Sequence, residues 1–448
     1  MGKGKLRELL DNAAEIAERA NFREHKAALT SLIDTISIAM ASHSIDSRVK
    51  KLREILLQNG SGRGDAIVFG ERMIRVDDTT ALVLNSFAAH SLELDDWLPL
   101  GILHPGASII PSAVLLAQKK DLSLEEITAG IIYGYQIAEE FGRWLGRSHY
   151  RTWHNTSTVA GVAVAAMLSW IDEREDDSIL SSMLLAITYA GGFMPLINRL
   201  VVIKPMSPAH ASLVGYYSYM MSEAFTSLSR ETYDVEEKIC SILSKQCENN
   251  PQTEREPAVL RIGYKIFPTC RNSHTTIQAS LKLSNQVDLN NIDSIELEVF
   301  EEASEVADVV SPSTLEEAMF SLTFLTATAL VKKWVGLKEI FESLSDPLVR
   351  EIEKKVRVRV REDYTAYFPK KHPVTVRVKM KNGTVLEEHE DIPYGDPSKT
   401  LTEDVLYEKL RSLSQYSGNR RILKFIDLTL KNNNNMKINQ LFREVYED

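Results

Sequence analysis

The chain has only three cysteines, Cys240, Cys247 and Cys270, in 448 residues, too few and too unevenly spaced for a disulfide framework. No Cys-x-x-Cys pair occurs, so the usual signature of a structural zinc site or a cysteine-ligated iron–sulfur cluster is missing. Also missing are a Gly-rich phosphate loop, a Gly-x-Ser-x-Gly elbow, a His-Glu-x-x-His helix and a dinucleotide fingerprint in the right strand–helix setting. Phosphoryl transfer, zinc hydrolysis and nicotinamide redox chemistry lose their commonest supports. Basic residues are in deficit: the formal net charge of -10 argues against a nucleic-acid or polyanion binder. A small anionic substrate is not excluded, because local cations decide that. The first residues lead into charged helical sequence without the apolar core of a signal peptide. The nearest thing to a membrane span, Ser178 to Asn198, contains Gly191, Gly192 and Pro195, and a buried core helix is expected there instead. These absences together point to a reducing cytoplasm, with neither nucleic acid nor membrane as partner.

What is present is ordinary for a globular protein, 44% hydrophobic and 25% charged, with length enough for two domains. Residues 1 to about 60 show apolar positions at three- and four-residue spacing, as helices do. A Gly-rich loop follows at 59–65, then a short extended segment, Asp65 to Gly70. From Thr79 to about Ala224 the chain reads as helices with small apolar faces. The stretch Val159 to Met167 is apolar on every side, as befits a helix surrounded by helices. After Pro257 the period changes. Ile292 to Val299, Val356 to Arg361 and Val374 to Met380 alternate as strands, and Asn382-Gly383 predicts a hairpin turn into Thr384-Val385-Leu386. Helical sequence lies between them, near His274 to Gln286 and Leu315 to Leu344, and returns from Thr402; Asn432 to Asn435 reads as a polar loop. The expected architecture is an all-α domain, 1–257 completed by 399–448, plus an inserted α+β domain, 258–398, with an antiparallel sheet.

Titratable residues set into uncharged sequence are the candidates for chemistry. Glu93, Asp95 and Asp96 crowd the end of a helix, followed by Trp97 and a loop to His104-Pro105-Gly106. By itself this is most simply helix-end capping. His154 directly precedes the most apolar helix, where Asn155, Thr156 or Ser157 would serve as cap. Lys204 lies between Ile203 and Pro205, either snorkelling to the surface or facing a pocket. The richest cluster runs from Lys265 through Cys270 and Arg271 to His274. A lone cysteine beside a histidine is ordinarily structural. His149 and His210 have nothing around them beyond core or surface roles. Imidazoles and carboxylates suit proton transfer, and lysines and arginine suit binding of carboxylates. The pattern favours acid–base chemistry on an anionic substrate.

Taken in order, Leu92-Glu93-Leu94-Asp95-Asp96, His104-Pro105, His154-Asn155-Thr156, Lys204-Pro205, Lys265-Ile266-Phe267-Pro268-Thr269-Cys270 and His274 resemble the MmgE/PrpD family. So do Pro312 to Leu322 and Pro393-Tyr394-Gly395-Asp396-Pro397. Each motif is weak singly, but the ordered series covers nearly the whole chain. The resemblance implies a helical domain built from both chain ends, with an inserted α+β lid and the active site between them, and a homodimer. It implies a lyase or isomerase of small polycarboxylates without metal or organic cofactor: 2-methylcitrate dehydratase, cis-aconitate decarboxylase and iminodisuccinate epimerase are members. Carried over by position, Glu93, His104, His154 and His274 are the expected catalytic set, while Lys204, Lys265, Asp95 and Arg271 are expected to bind substrate. The specific expectation is dehydration of a hydroxy-polycarboxylate, 2-methylcitrate first, with decarboxylation of a cis-aconitate-like acid or epimerisation of a dicarboxylate as alternatives. A helical binding or scaffold protein on the same fold is the alternative of another class. Four positions depart from the family pattern. Glu93 replaces a frequent Asp, Trp97 a Thr, Ser207 a His and Phe324 the Tyr of the decarboxylase branch.

Overall fold

The helix Asn155–Ile171 is the axis of the helical part, buried from Asn155 through Ser169. Around it run Leu124–Thr152, Met206–Met221, Asp176–Thr188 and Gly106–Lys120. Small residues let the axes approach. A Cβ added at Gly215 would stand 2.5 Å from the Val164 side chain and 2.8 Å from the Gly161 carbonyl oxygen. This computed structural model describes residues 4–58, 64–225, 235–244, 247, 256–431 and 435–447. Residues 59–63 of the loop expected at 59–65 and most of the asparagine run, 432–434, lie outside the described residues. The chain divides into two compact units, one of Met1–Ile197, Ile203–Ile262 and Tyr407–Asp448, the other of Asn198–Val202 and Gly263–Leu406.

In the first unit, the carboxy-terminal segment is part of the core. Lys409 Nζ donates to Asp34 Oδ1 (2.7 Å) and to the Leu94 carbonyl (2.9 Å), and Asn419 Nδ2 donates to the Met40 carbonyl (3.1 Å). Phe442 stacks on Phe69 with centroids 5.5 Å apart. The helix Phe22–Ile45 opens with a capping box between Asn21 and Glu24, which satisfies its first free N–H groups. Among the described residues it is the one helix long and apolar enough to cross a membrane, and 78% of its apolar window is buried within the fold.

Two expectations need correction in this unit. Ser178 to Asn198 is not one buried helix. It splits into Asp176–Thr188 and Met194–Arg199, interrupted at Gly191-Gly192 and restarted at Pro195, and leaves Tyr189, Phe193 and Leu196 at 66%, 52% and 51% exposure. The cysteines are not all reduced. Cys240, on the helix Val235–Leu243, and Cys247 form a disulfide with a Cα–Cα separation of 5.6 Å, a local closure that a cysteine count does not reveal.

The second unit is built on a four-stranded sheet in the order Val356–Val360, Ile292–Val299, Val374–Met380, Val385–Glu390. The expected antiparallel sheet is mixed: Ile292–Val299 pairs in parallel with Val356–Val360, in the register Ile295↔Val356 to Val299↔Val360. Its pairing with Val374–Met380 is antiparallel. The chain between the parallel strands carries several helices, Glu301–Val306 to Pro347–Glu353, long enough to return to the starting edge and run in the same direction. Asn382-Gly383 makes the tight turn, with the Met380 N–H donating to the Thr384 carbonyl (2.8 Å). The helix His274–Leu283 lies over the strands Val374–Met380 and Val385–Glu390 and against the helix Leu322–Lys332.

Candidate active site

The helix Asp78–Ser91, started by Asp77 accepting from the Thr80 N–H, ends where Glu93 turns left-handed at φ 51°. The chain then runs extended through Asp95-Asp96-Trp97. It doubles back in a loop closed by Leu98 and Leu103, whose N–H···O bonds measure 2.9 and 3.4 Å. That loop returns His104 to Asp96: His104 Nδ1–H donates to the Asp96 carbonyl at 2.6 Å. Its placement is fixed from the axial helix. Asn155 Nδ2 donates to the Gly101 carbonyl (2.8 Å), and the His104 N–H donates to Thr156 Oγ1 (3.1 Å). Asn155 and Thr156, expected as helix caps, hold this loop instead. His154 occupies the N-cap position without a side-chain cap bond.

Asp96 anchors the loop. Its carboxylate accepts from Tyr135 Oη (2.6 Å) and from the Gly106 N–H (3.0 Å). A Cβ at Gly106 would come within 2.9 Å of both Asp96 oxygens, so this approach requires glycine. Burial pushes the Asp96 carboxyl up to about 7, opposed by the Tyr135 hydrogen bond and reinforced by Asp95. Asp95 faces the other way. Its Oδ2 accepts from His90 Nδ1 at 2.5 Å and lies 3.5 Å from His104 Nδ1. Expected to bind substrate, Asp95 is fully buried and engaged with these imidazoles.

Glu93 forms an ion pair with Lys204, and both are buried, at 2% and 6% exposure. Lys204 thus faces inward, which resolves the choice its sequence left open. The pair is ringed by imidazoles. His90 Nε2 lies 3.7 Å from Glu93 Oε1, His90 and His104 have ring centroids 4.9 Å apart, and the Trp97 indole lies against His104 at 5.5 Å. Burial, followed by the Lys204 charge and His90, holds His154 well below the ordinary imidazole value. Burial and Lys204 lower His90 too, against the opposing carboxylates of Asp95 and Glu93. These rings are therefore neutral near pH 7, and each has one nitrogen able to accept a proton.

His90, Asp95 and His104 offer donor atoms within 4.8 Å of one another, close enough for a metal. The hydrogen bonds commit both Nδ1 atoms and leave Nε2 as the ring nitrogen that a metal could take. A carbonyl oxygen only accepts, so His104 Nδ1 carries the hydrogen toward Asp96, and His90 Nδ1 likewise toward Asp95. Neither Nδ1 has a lone pair to give in this arrangement.

His90 is the residue that the sequence reading missed. It stands three residues before Glu93, the spacing of neighbours on a helix face, and this was the available signal, although the helix ends at Ser91. The supports Tyr135, Asp34 and Lys409 are distant in sequence and had no signal at all.

In the second unit Lys265, Arg271 and His274 are buried, at 0%, 2% and 0% exposure. The segment between them is locked by its own polar groups: Ser273 Oγ donates to Thr269 Oγ1 (2.9 Å) and the Cys270 carbonyl (2.8 Å), and the Cys270 N–H donates to the Met319 carbonyl (3.0 Å). Arg271 Nη1 lies 3.4 Å from His274 Nδ1, and Nη2 is 3.7 Å from Asp396 Oδ2. Burial, partly offset by Asp396, lowers Arg271 to about 10, still charged at neutral pH. Burial and then the charges of Arg271 and Lys265 hold His274 well below its ordinary value. The cluster is buried and cationic, and its charges suit carboxylates. Phe324 is core, with the Arg350 guanidinium 5.0 Å over its ring. Ser207 is buried, its N–H donating to the Lys204 carbonyl (2.9 Å).

Comparison with known proteins agrees with the ordered motifs. The MmgE/PrpD N-terminal domain matches residues 14–249 and the MmgE/PrpD C-terminal domain matches residues 267–431. Similar curated proteins include cis-aconitate decarboxylase of Homo sapiens, 21% identical over 367 residues, covering 77% of this chain and 74% of that protein. Another is cis-aconitate decarboxylase of Mus musculus, 20% identical over 372 residues, covering 79% of this chain and 75% of that protein. With both domain models matched in order along the chain, the protein belongs to the MmgE/PrpD family.

Proposed function

We propose that the protein is a cofactor-independent hydro-lyase that dehydrates a small hydroxy-polycarboxylate, with 2-methylcitrate to 2-methyl-cis-aconitate as the first reaction to test. The observation that carries this reading is the buried Glu93–Lys204 pair set among neutral imidazoles. Dehydration needs a resting base beside the acidic C–H and an acid for the leaving hydroxyl. His104 is the base: with Nδ1–H committed to the Asp96 carbonyl, its Nε2 lone pair takes the proton α to a carboxylate. The C–H electron pair becomes the new double bond as the C–O bond breaks. Glu93 is the acid. When a substrate carboxylate takes over Lys204, Glu93 loses its counter-charge in a buried setting and binds a proton, which it gives to the departing hydroxyl to make water. His154 flanks this exchange; within the second unit, Lys265, Arg271 and His274 are our proposed carboxylate binders.

Decarboxylation of a cis-aconitate-like acid is the second reading, supported by the names of the two relatives. It requires mainly proton delivery to carbon, whereas the arrangement around Glu93 presents resting bases. The exposed side chains of Tyr217, Met220 and Met221, at 45%, 39% and 52%, are our candidate surface for a second copy of the chain, testable by sedimentation. A panel of small polycarboxylates, read by ultraviolet absorbance of the conjugated product, by carbon dioxide release and by α-proton exchange in deuterated water, decides among the readings. Silence in all three would return the chain to the scaffold reading. Full activity in His104→Ala would overturn the assignment of the base.

A further inference from the structure

We infer that His90, held by Asp95, is the proton-exchange partner of Glu93: a positioning residue that acts through that carboxylate rather than by touching substrate. The inference rests on the acid role proposed for Glu93. His90 is fully buried, on the helix Asp78–Ser91 one turn before Glu93. Its Nδ1–H is fixed by Asp95 Oδ2 at 2.5 Å, which leaves Nε2 as the acceptor nitrogen. Among the described residues Nε2 is buried without a hydrogen-bond partner, and 3.7 Å away is Glu93 Oε1. An acceptor nitrogen left unsatisfied in the interior costs stability, because its lost hydration is not compensated. An apolar side chain of similar size would avoid that cost, so a use for the nitrogen is the more economical explanation. The charged and titratable groups facing it are Asp95, Glu93, Lys204, His104 and His154.

The exchange balances without any co-reactant. A proton on Glu93 Oε1 passes to His90 Nε2; the O–H bond breaks, its electron pair stays on the carboxylate, and the new N–H makes an imidazolium. Asp95 stabilises that imidazolium through Nδ1–H, as a buried carboxylate does for a general-base histidine. While Lys204 holds the substrate carboxylate, the reverse transfer returns the proton to Glu93 for delivery to the departing hydroxyl, and His90 is left neutral, as it is at rest. A gap of 3.7 Å needs only a small side-chain shift to become a hydrogen bond, and release of Glu93 from Lys204 allows that shift.

The test is His90→Asn, whose amide N–H reproduces the Nδ1 donor to Asp95 but has nothing in place of Nε2. With a substrate found in the polycarboxylate panel, kcat is expected to fall by roughly 10-fold or more with KM little changed. The pH profile of kcat should lose one limb, and the melting temperature should stay near that of the wild type. Unchanged kcat and pH profile, or a loss that simply follows melting temperature, would overturn the inference. A second measurement needs no turnover. In ¹⁵N NMR of the imidazoles, His90 should appear as the Nδ1–H tautomer, and Glu93→Gln should displace its titration. A His90 signal indifferent to Glu93→Gln would overturn it as well. If the wild type turns over nothing in the panel, the proposed function fails, and the NMR result still decides whether the two groups are coupled.

Discussion

Replacing Lys204 by methionine keeps the length of the side chain and removes its charge, leaving Glu93 as a carboxylate at 2% exposure without its cation. Breaking a buried ion pair from one side costs about 3–5 kcal/mol, because the remaining charge keeps its desolvation penalty and loses its compensation. For a folding unit of this size, a change of that order lowers the melting temperature by roughly 5–8 °C. Glu93 can relieve the penalty by taking a proton, so the loss should be largest above pH 8 and shrink as pH falls. The sign follows from linkage: the variant raises the folded-state pKa of Glu93 above its unfolded value, so the folded form binds the extra proton and is favoured at low pH. The double variant Lys204→Met, Glu93→Gln removes both charges and should recover most of the loss at high pH. Differential scanning fluorimetry of the wild type, Lys204→Met, Glu93→Gln and the double variant between pH 6 and 9 measures the whole cycle. A single variant melting within a degree of the wild type at pH 8.5, or a double variant no better than the single, would show that the pair is not the buried ion pair described here.

Gly215→Val should cost about 1–3 kcal/mol by forcing a side chain against Val164 and the Gly161 carbonyl, read as a lower melting temperature with no change in the pH profile of activity. His43 and His149 have pKa values lowered by burial to about 3 and about 4, so between those values and 6.5 the unfolded chain binds more protons than the folded one. Stability should fall below pH 6.5 by up to about 1.4 kcal/mol per pH unit for each, and His43→Leu should flatten the curve by one proton. Trp97→Thr removes the ring against His104 and should shift the ratio of kcat/KM for two acids differing by one methyl group by roughly 10-fold, measured on the panel's best substrate and its homologue.

The parts of this molecule legible in its sequence are those governed by local spacing. The apolar run Val159 to Met167 lies in the buried helix Asn155–Ile171, and the alternation at Ile292 to Val299 and at Val374 to Met380 forms strands. The turn at Asn382-Gly383 is written in its own two residues. What failed depended on pairing at a distance. Nothing in Val356 to Val360 says that its neighbour runs parallel; the long crossover decides that. Nor does the spacing of Cys240 and Cys247 distinguish a bond from two thiols. At the candidate site, the ordered motifs singled out Glu93, His104, His154 and Lys204, all of them buried in the first unit. His90 escaped because its significance lies in a bond to Asp95 that folds back under the end of its own helix.

Glu93 shows why that fold-back matters. Glutamate is not a residue that favours the left-handed region, and a φ of 51° there costs of order 1 kcal/mol or more relative to glycine. A glycine would end the helix at lower cost, and an aspartate would tolerate the conformation better. The left-handed turn sends the two sides of the acidic cluster in different directions. The carboxylate of Glu93 reaches Lys204, while Asp95, two residues on, comes back beneath the helix to His90. Without that turn the helix would continue, and residues 93 and 95 would project about 200° apart around it, with no way to engage Lys204 and His90 together. The backbone strain, the buried ion pair and the imidazole fixed by Asp95 are thus consequences of one conformational choice at one residue. The extra methylene of glutamate sets the distance from the strained turn to Lys204.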